Sequence, residues 1–247
     1  MTGSDEPRDE EAAPGQLCAL CGKRQATTRE HVPAKGLFPR PRPSNLITVP
    51  SCDPCNHGTG SDDDHLRAFF ALRVEAQPTE SLNRVRASVA RALTRTDFRG
   101  LQETFARGIR FEWLPESGGQ VLTMQSLLLP DMQRVLGVVA KNVRGLFYHL
   151  TGRILPPEIG VLVLPDHKVD ELTPEGQLQA KRWMQLASSG TRGDVGEVFG
   201  YTLRVTDDNP NVFAAGLLYF KTFGFLAAAV RPDQTLSGEI LILPAGR

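Results

Sequence analysis

The chain has only four cysteines, six lysines against 22 arginines, and no long hydrophobic run in its 247 residues. Without about 18 consecutive apolar residues a membrane-spanning helix is not expected. Residues 1–15 carry five acids and one base and have no apolar stretch, which argues against a secretory signal and for a disordered acidic tail. Beyond residue 108 a phosphate-cradling glycine loop and a nucleophile elbow are both missing, so P-loop and hydrolase-elbow chemistry are not expected there. Internal repeats are missing as well. What remains is 40% apolar residues, enough to fill a core, in a length that suits one small module and a second ordinary domain.

The cysteines are few but patterned. They form two CxxC pairs, Cys18/Cys21 and Cys52/Cys55, thirty residues apart. Four thiolates at that spacing can close a tetrahedral zinc site, and the intervening segment is too short to build a core without such a staple. A thioredoxin-like redox role fits poorly, because those motifs sit at a strand-to-helix junction. These cysteines instead bracket a stretch rich in proline, with Pro33, Pro39, Pro41 and Pro43. Paired thiols explained by zinc, with no export signal, place the protein in the cytoplasm as an expectation.

A structural zinc does not require the other polar residues at its borders: Glu30-His31-Val32-Pro33, Asn45-Leu46 and Cys55-Asn56. Together with the cysteines, this stretch of roughly residues 16–70 resembles the HNH endonuclease family. The resemblance implies a ββα-metal fold and a bacterial-type enzyme that hydrolyses phosphodiester bonds in nucleic acid, with DNA the expected substrate. It implies His31 as general base, because neutral imidazole accepts a proton near pH 7 when its other ring nitrogen is held. Asn45 is the implied orienting partner. Glu30 and Asn56 are the implied oxygen ligands of a catalytic Mg²⁺ or Mn²⁺, separate from the structural Zn²⁺ on the cysteines. His57 is an alternative to Asn56 as ligand. The basic residue that many family members carry next is replaced by Gly58-Thr59-Gly60. That substitution favours the rival reading, a zinc-stapled nucleic-acid-binding protein that does not cleave; a signal-gated effector is a further reading compatible with the architecture.

Local patterning supports the module. Asn45 to Val49 reads as a strand, and Ser61 with Asp64 reads as a capping box that opens a helix continued by Leu66, Phe69 and Phe70. On this reading Asp62 to Asp64 serve the helix terminus rather than a metal. Beyond it, residues Leu66 to Arg110 hold nine arginines, no lysine and four acids. Arg91, Arg95 and Arg99 recur at helical spacing and could track nucleic-acid phosphates, with Val85, Val89 and Leu93 facing a core. Arginine bias across the whole chain explains the same ridge without a nucleic acid.

The expected organisation is a tail over 1–15, the module over 16–75, a basic helical connector over 76–108 and an α+β domain over 109–247. In that domain Ile109–Leu114 and Gln120–Met124 read as a hairpin around Pro115 to Gly119. Met132, Val135, Leu136, Val139, Val143, Leu146 and Phe147 mark a helix from about Asp131 to Thr151. Strands are expected over Ile159–Leu164, Glu197–Val205, Val212–Phe220, Phe223–Val230 and Glu239–Leu243, giving an antiparallel sheet with one long helix against it. Ala187 to Asp194 reads as a loop. The domain shows no second catalytic constellation; His149 and His167 read as structural. Its expected roles are dimerisation to a homodimer, substrate specificity, or response to a small-molecule or protein signal.

Overall fold

The computed structural model describes residues 15–73, 79–94, 103, 108–115, 122–128, 130–230 and 242–243. Most of the acidic tail, Arg95, Arg99 and the turn after Pro115 lie outside the described residues. The chain is mixed α+β, as its patterning predicts.

The N-terminal part is a two-stranded hairpin followed by helices. Strand β1 (Thr28–His31) pairs antiparallel with β2 (Thr48–Ser51), with Glu30 opposite Val49 and His31 opposite Thr48. The strand expected over Asn45–Val49 thus begins later, at Thr48, and Asn45 lies outside it. Helix α1 (Asp53–Asn56), with Pro54 in its first turn, runs through a 3₁₀ turn at His57–Thr59 into α2 (Gly60–Leu72). The helix therefore starts before Ser61, and Thr59 rather than Ser61 stands at the N-cap. The capping box is not formed, because Ser61 and Asp64 are already within the first helical turns. Helix α3 (Glu80–Leu93) is capped by the Thr79 hydroxyl, which accepts from the Leu82 amide, and buries Leu82, Val85 and Val89.

Strands β3 (Ile109–Pro115) and β4 (Leu122–Leu128) form the expected hairpin, Trp113 opposite Met124. Helix α4 (Met132–Thr151) matches its sequence pattern closely. Asp131 caps it by accepting from the Gln133 and Arg134 amides, and Gly152 ends it in the left-handed conformation at φ 68°. There follow β5 (Gly160–Pro165), α5 (Pro174–Ser188), β6 (Thr191–Val195), β7 (Phe199–Val205), β8 (Phe213–Tyr219), β9 (Phe223–Val230) and β10 (Ile242–Leu243). Six of these strands form one antiparallel sheet in the order β10-β5-β9-β8-β7-β6. Two segments correct the sequence reading. Ala187 to Asp194 is the end of a helix and the start of strand β6 rather than a loop, and α5 is a second helix on the sheet. The apolar stripe of α5 is weak, since Leu178 and Met184 are exposed while only Ala180 and Ala187 are fully buried. Its start was legible in Thr173-Pro174, where the threonine hydroxyl accepts from the Gly176 amide and proline takes the first turn.

Alternation along the strands divides the sheet into two faces. Phe213, Ala215, Leu217 and Tyr219 of β8 point to the main core, together with Phe199, Leu203, Phe225 and Ala227. Leu162, Leu164, Leu226 and Val230 point the other way, under Ala180 and Trp183 of α5. The main core does not stop at the sheet. It continues through Val135, Val139, Val143 and Leu146 of α4 into Leu66, Phe69 and Phe70 of α2 and on to the four cysteines. Helix α4 therefore lies between the cysteine-bearing module and the sheet, buried on both sides. Gly145 permits this approach, because a Cβ there would sit 2.5 Å from Val32 Cγ2. No helix among the described residues is long and apolar enough to cross a membrane.

Candidate functional site

Two adjoining features arise from the module. The first is the cysteine tetrad. Cys18 and Cys21 sit in a tight knuckle in which the Gly22 amide donates to Cys18 O at 2.9 Å and Gly22 adopts φ 65°. Cys52 and Cys55 flank the first turn of α1, where the amides of Cys55 and Asn56 both donate to Cys52 O. The Ala19 amide bonds to Pro50 O, which stitches the first knuckle to β2. All four cysteines are buried and unbridged, and their sulfurs lie within 4.8 Å of one another. Sulfurs bound tetrahedrally at about 2.3 Å to zinc stand roughly 3.8 Å apart. Cys21 and Cys52 are at 3.9 Å, so the cluster fits a metal such as zinc.

The electrostatics agree with a thiolate site. A side-chain hydrogen bond with Cys55 holds Cys18 down to about 4, while the same contact and burial push Cys55 up. A thiol held low at Cys18 beside thiols pushed up at Cys52 and Cys55 is what crowded sulfurs do before a cation neutralises them. Arg144 of α4 is buried, donating to Leu155 O and to Ile159 O. Burial pulls its guanidinium down to about 10, opposed by Cys21, Cys55 and Glu158.

The second feature is a cleft of about 300 Å³ beside the tetrad, lined by Glu30, His31, Asn56, His57 and Asp63, with Arg29, Lys35 and Arg67 at its walls. Glu30 is 6% exposed. Its Oε1 accepts from Lys141 Nζ at 3.1 Å. Lys141, on α4, also donates to Asp63 Oδ2 at 2.8 Å, to Asp63 Oδ1 at 2.9 Å and to Thr59 Oγ1 at 2.9 Å. Burial pushes Glu30 up to about 7, only partly opposed by Lys141, and Asp63 is raised for the same reason. Burial acts to lower Lys141, but Asp63 and Glu30 outweigh it and raise the ammonium. The group is thus two buried carboxylates sharing one cation.

The sequence-derived residues fall in different places. Glu30, His31 and Asn56 come together at the cleft. The Asn56 amide nitrogen donates to Thr28 Oγ1 at 3.0 Å and to Arg29 O at 3.2 Å, which commits that end of the side chain to β1 and turns its carbonyl oxygen the other way. His57, the alternative, also lines the cleft, and its Nδ1 is 2.7 Å from Asp53 Oδ1. Asn45 is exposed, is not among the residues lining the cleft, and donates to the Asp194 carbonyl of β6 at 3.2 Å. Arg91 is exposed on α3, and Arg95 and Arg99 lie outside the described residues. Two neighbouring arginines, Arg84 and Arg86, are engaged with the module, donating to the carbonyls of Arg40, Ala71 and Arg73.

Sequence reasoning missed Lys141, Asp63, Thr59, Lys35 and Arg67. One signal for Lys141 was present: it is a charge in the most apolar stretch of α4, between Ala140 and Val143. Asp62 and Asp63 read as helix-terminal acids, yet they bind across to α4, Asp62 to Arg134 at 2.6 Å and Asp63 to Lys141.

No family model matches this chain, and neither the curated proteins nor the solved structures compared with it show a match.

Proposed function

We propose that the protein is an HNH-type endonuclease that hydrolyses phosphodiester bonds in nucleic acid, DNA being the expected substrate. The observation that carries this reading is the convergence of Glu30, His31 and Asn56 on one cleft whose walls hold Arg29, Lys35 and Arg67. Cations beside a histidine suit an anionic backbone substrate; Arg29 is held at the wall by Thr48, and Arg67 lies 3.6 Å from Asp64, which lines the same cleft. Zn²⁺ on the tetrad is the structural metal that staples the two knuckles.

In this reading His31 takes the proton of the attacking water, and the cationic walls hold the phosphate in position. Glu30 and Asn56 would hold a catalytic Mg²⁺ or Mn²⁺. The donor set fits, because Glu30 commits one carboxylate oxygen to Lys141 and keeps a second, and Asn56, which lines the same cleft, spends its amide nitrogen on Thr28 and Arg29 and keeps its carbonyl oxygen as a donor atom. Bound there, the metal would neutralise charge on the phosphoryl oxygens and leaving group.

The test is nicking of supercoiled plasmid by the purified full chain with Mg²⁺ or Mn²⁺, beside His31→Ala and a chelator control, with zinc content measured on every sample. Metal-dependent nicking that disappears in His31→Ala while zinc stays bound is the expected result. A folded, zinc-loaded protein that cleaves neither plasmid nor RNA would sink the reading and favour the non-cleaving binding protein.

A further inference from the structure

We infer that Lys141 is a tethered cation that occupies a second divalent-metal position, between Glu30 and Asp63, and so restricts this site to one metal ion. Four oxygens, from Glu30 Oε1, both Asp63 carboxylate atoms and Thr59 Oγ1, converge on one nitrogen at 2.8 to 3.1 Å. An all-oxygen shell with two carboxylates is the donor set of a hard divalent cation. The side chains involved are almost closed to solvent: Glu30 is 7% exposed, Lys141 11% and Asp63 13%.

Two like charges do not stay buried together without a positive partner. Water cannot supply the charge, and a freely exchanging ion is not needed when a lysine is built into the helix that packs there. The ammonium has three protons, and Asp63, Glu30 and Thr59 take all of them. It therefore has none left for a phosphate, which argues for a fixed counter-ion rather than a substrate contact. The one-metal geometry at Glu30 and Asn56 rests on the nuclease reading; the exclusion of an ion from the Glu30–Asp63 pair does not.

The experiment is calorimetric titration of Mn²⁺ into zinc-loaded wild type, Lys141→Arg, Lys141→Met and Lys141→Met/Asp63→Asn. Lys141→Met is expected to take up one more Mn²⁺ per chain than wild type, with the added site at least tenfold tighter than any such site in Lys141→Arg or in the double variant. Should Lys141→Met not fold alone, millimolar Mn²⁺ is expected to restore its circular dichroism and melting transition, and not to rescue the variant lacking Asp63 in the same way. Equal Mn²⁺ stoichiometry in wild type and Lys141→Met, or no rescue of an unfolded Lys141→Met, overturns the proposal. Wild type that binds no Mn²⁺ while Lys141→Met binds one would instead count against the nuclease reading alone.

Discussion

Phe70 of α2 stacks on Tyr219 of β8, ring centroids 4.9 Å apart with planes inclined by 29°. The contact joins the helix of the cysteine module to one of the two middle strands of the sheet, and Phe220 and Phe223 add rings at 5.6 and 4.8 Å. Tyr219 is fully buried and accepts a hydrogen bond from Asn142 of α4 at 2.9 Å, so three elements meet at one ring. Module and sheet consequently share their hydrophobic stabilisation.

Phe70→Ala should therefore weaken the whole protein. Emptying a fully buried phenylalanine site costs about 3–5 kcal/mol. In urea, loss of far-ultraviolet dichroism and release of zinc are expected to shift together to lower denaturant by the same amount. A variant in which zinc leaves early while the sheet signal is unchanged would contradict a shared core.

Removing the metal should be more severe. A structural zinc contributes on the order of 10 kcal/mol of binding free energy, comparable with the whole stability of a domain. Cys52→Ser is expected to yield protein without stoichiometric zinc and with a lowered melting temperature or no cooperative transition. One zinc per chain by elemental analysis in wild type, lost on strong chelation with the four thiols becoming titratable, is the matching result. Full folding of Cys52→Ser without zinc would refute the staple.

The acidic pair predicts a pH dependence of defined sign. Glu30 holds its proton more tightly folded, up to about 7, than its ordinary value of 4.5. A raised carboxyl favours the folded state when protonated, so its contribution is present at low pH and lost as pH rises from about 4.5 through about 7. The span corresponds to about 3 kcal/mol. Glu30→Gln should remove that part of the slope. Urea unfolding of wild type and Glu30→Gln without added divalent metal, at pH 5 and pH 8, is expected to show the variant gaining relative stability at pH 8. A wild-type minus variant difference that does not change with pH would rule this out.

Parts of the site were legible because they depend on neighbours in sequence. A CxxC knuckle brings two sulfurs together through one backbone turn, and Glu30, His31 and Asn56 are placed by a hairpin and the helix that follows it. Asn45 was not so constrained. It lies outside β2, and its amide meets the Asp194 carbonyl 149 residues away, a contact that no local pattern encodes. The helix terminus misled for a related reason: acids in a first turn satisfy the helix dipole in any context, and only the arrival of α4 gives Asp62 and Asp63 their partners.

From the sequence alone came the cysteine pattern, the α+β class, helix α4 over about Asp131 to Thr151, and most strands of the sheet. Each follows from spacing or periodicity, which act within a few residues. Tertiary structure decided that α4 is buried on both sides, that Phe70 belongs to the sheet's core, and that Lys141 lies between Glu30 and Asp63, 111 and 78 residues away. Burial creates that last relationship: a lysine on an isolated helix would remain in water, and only closing the module over α4 makes two carboxylates its nearest source of compensation.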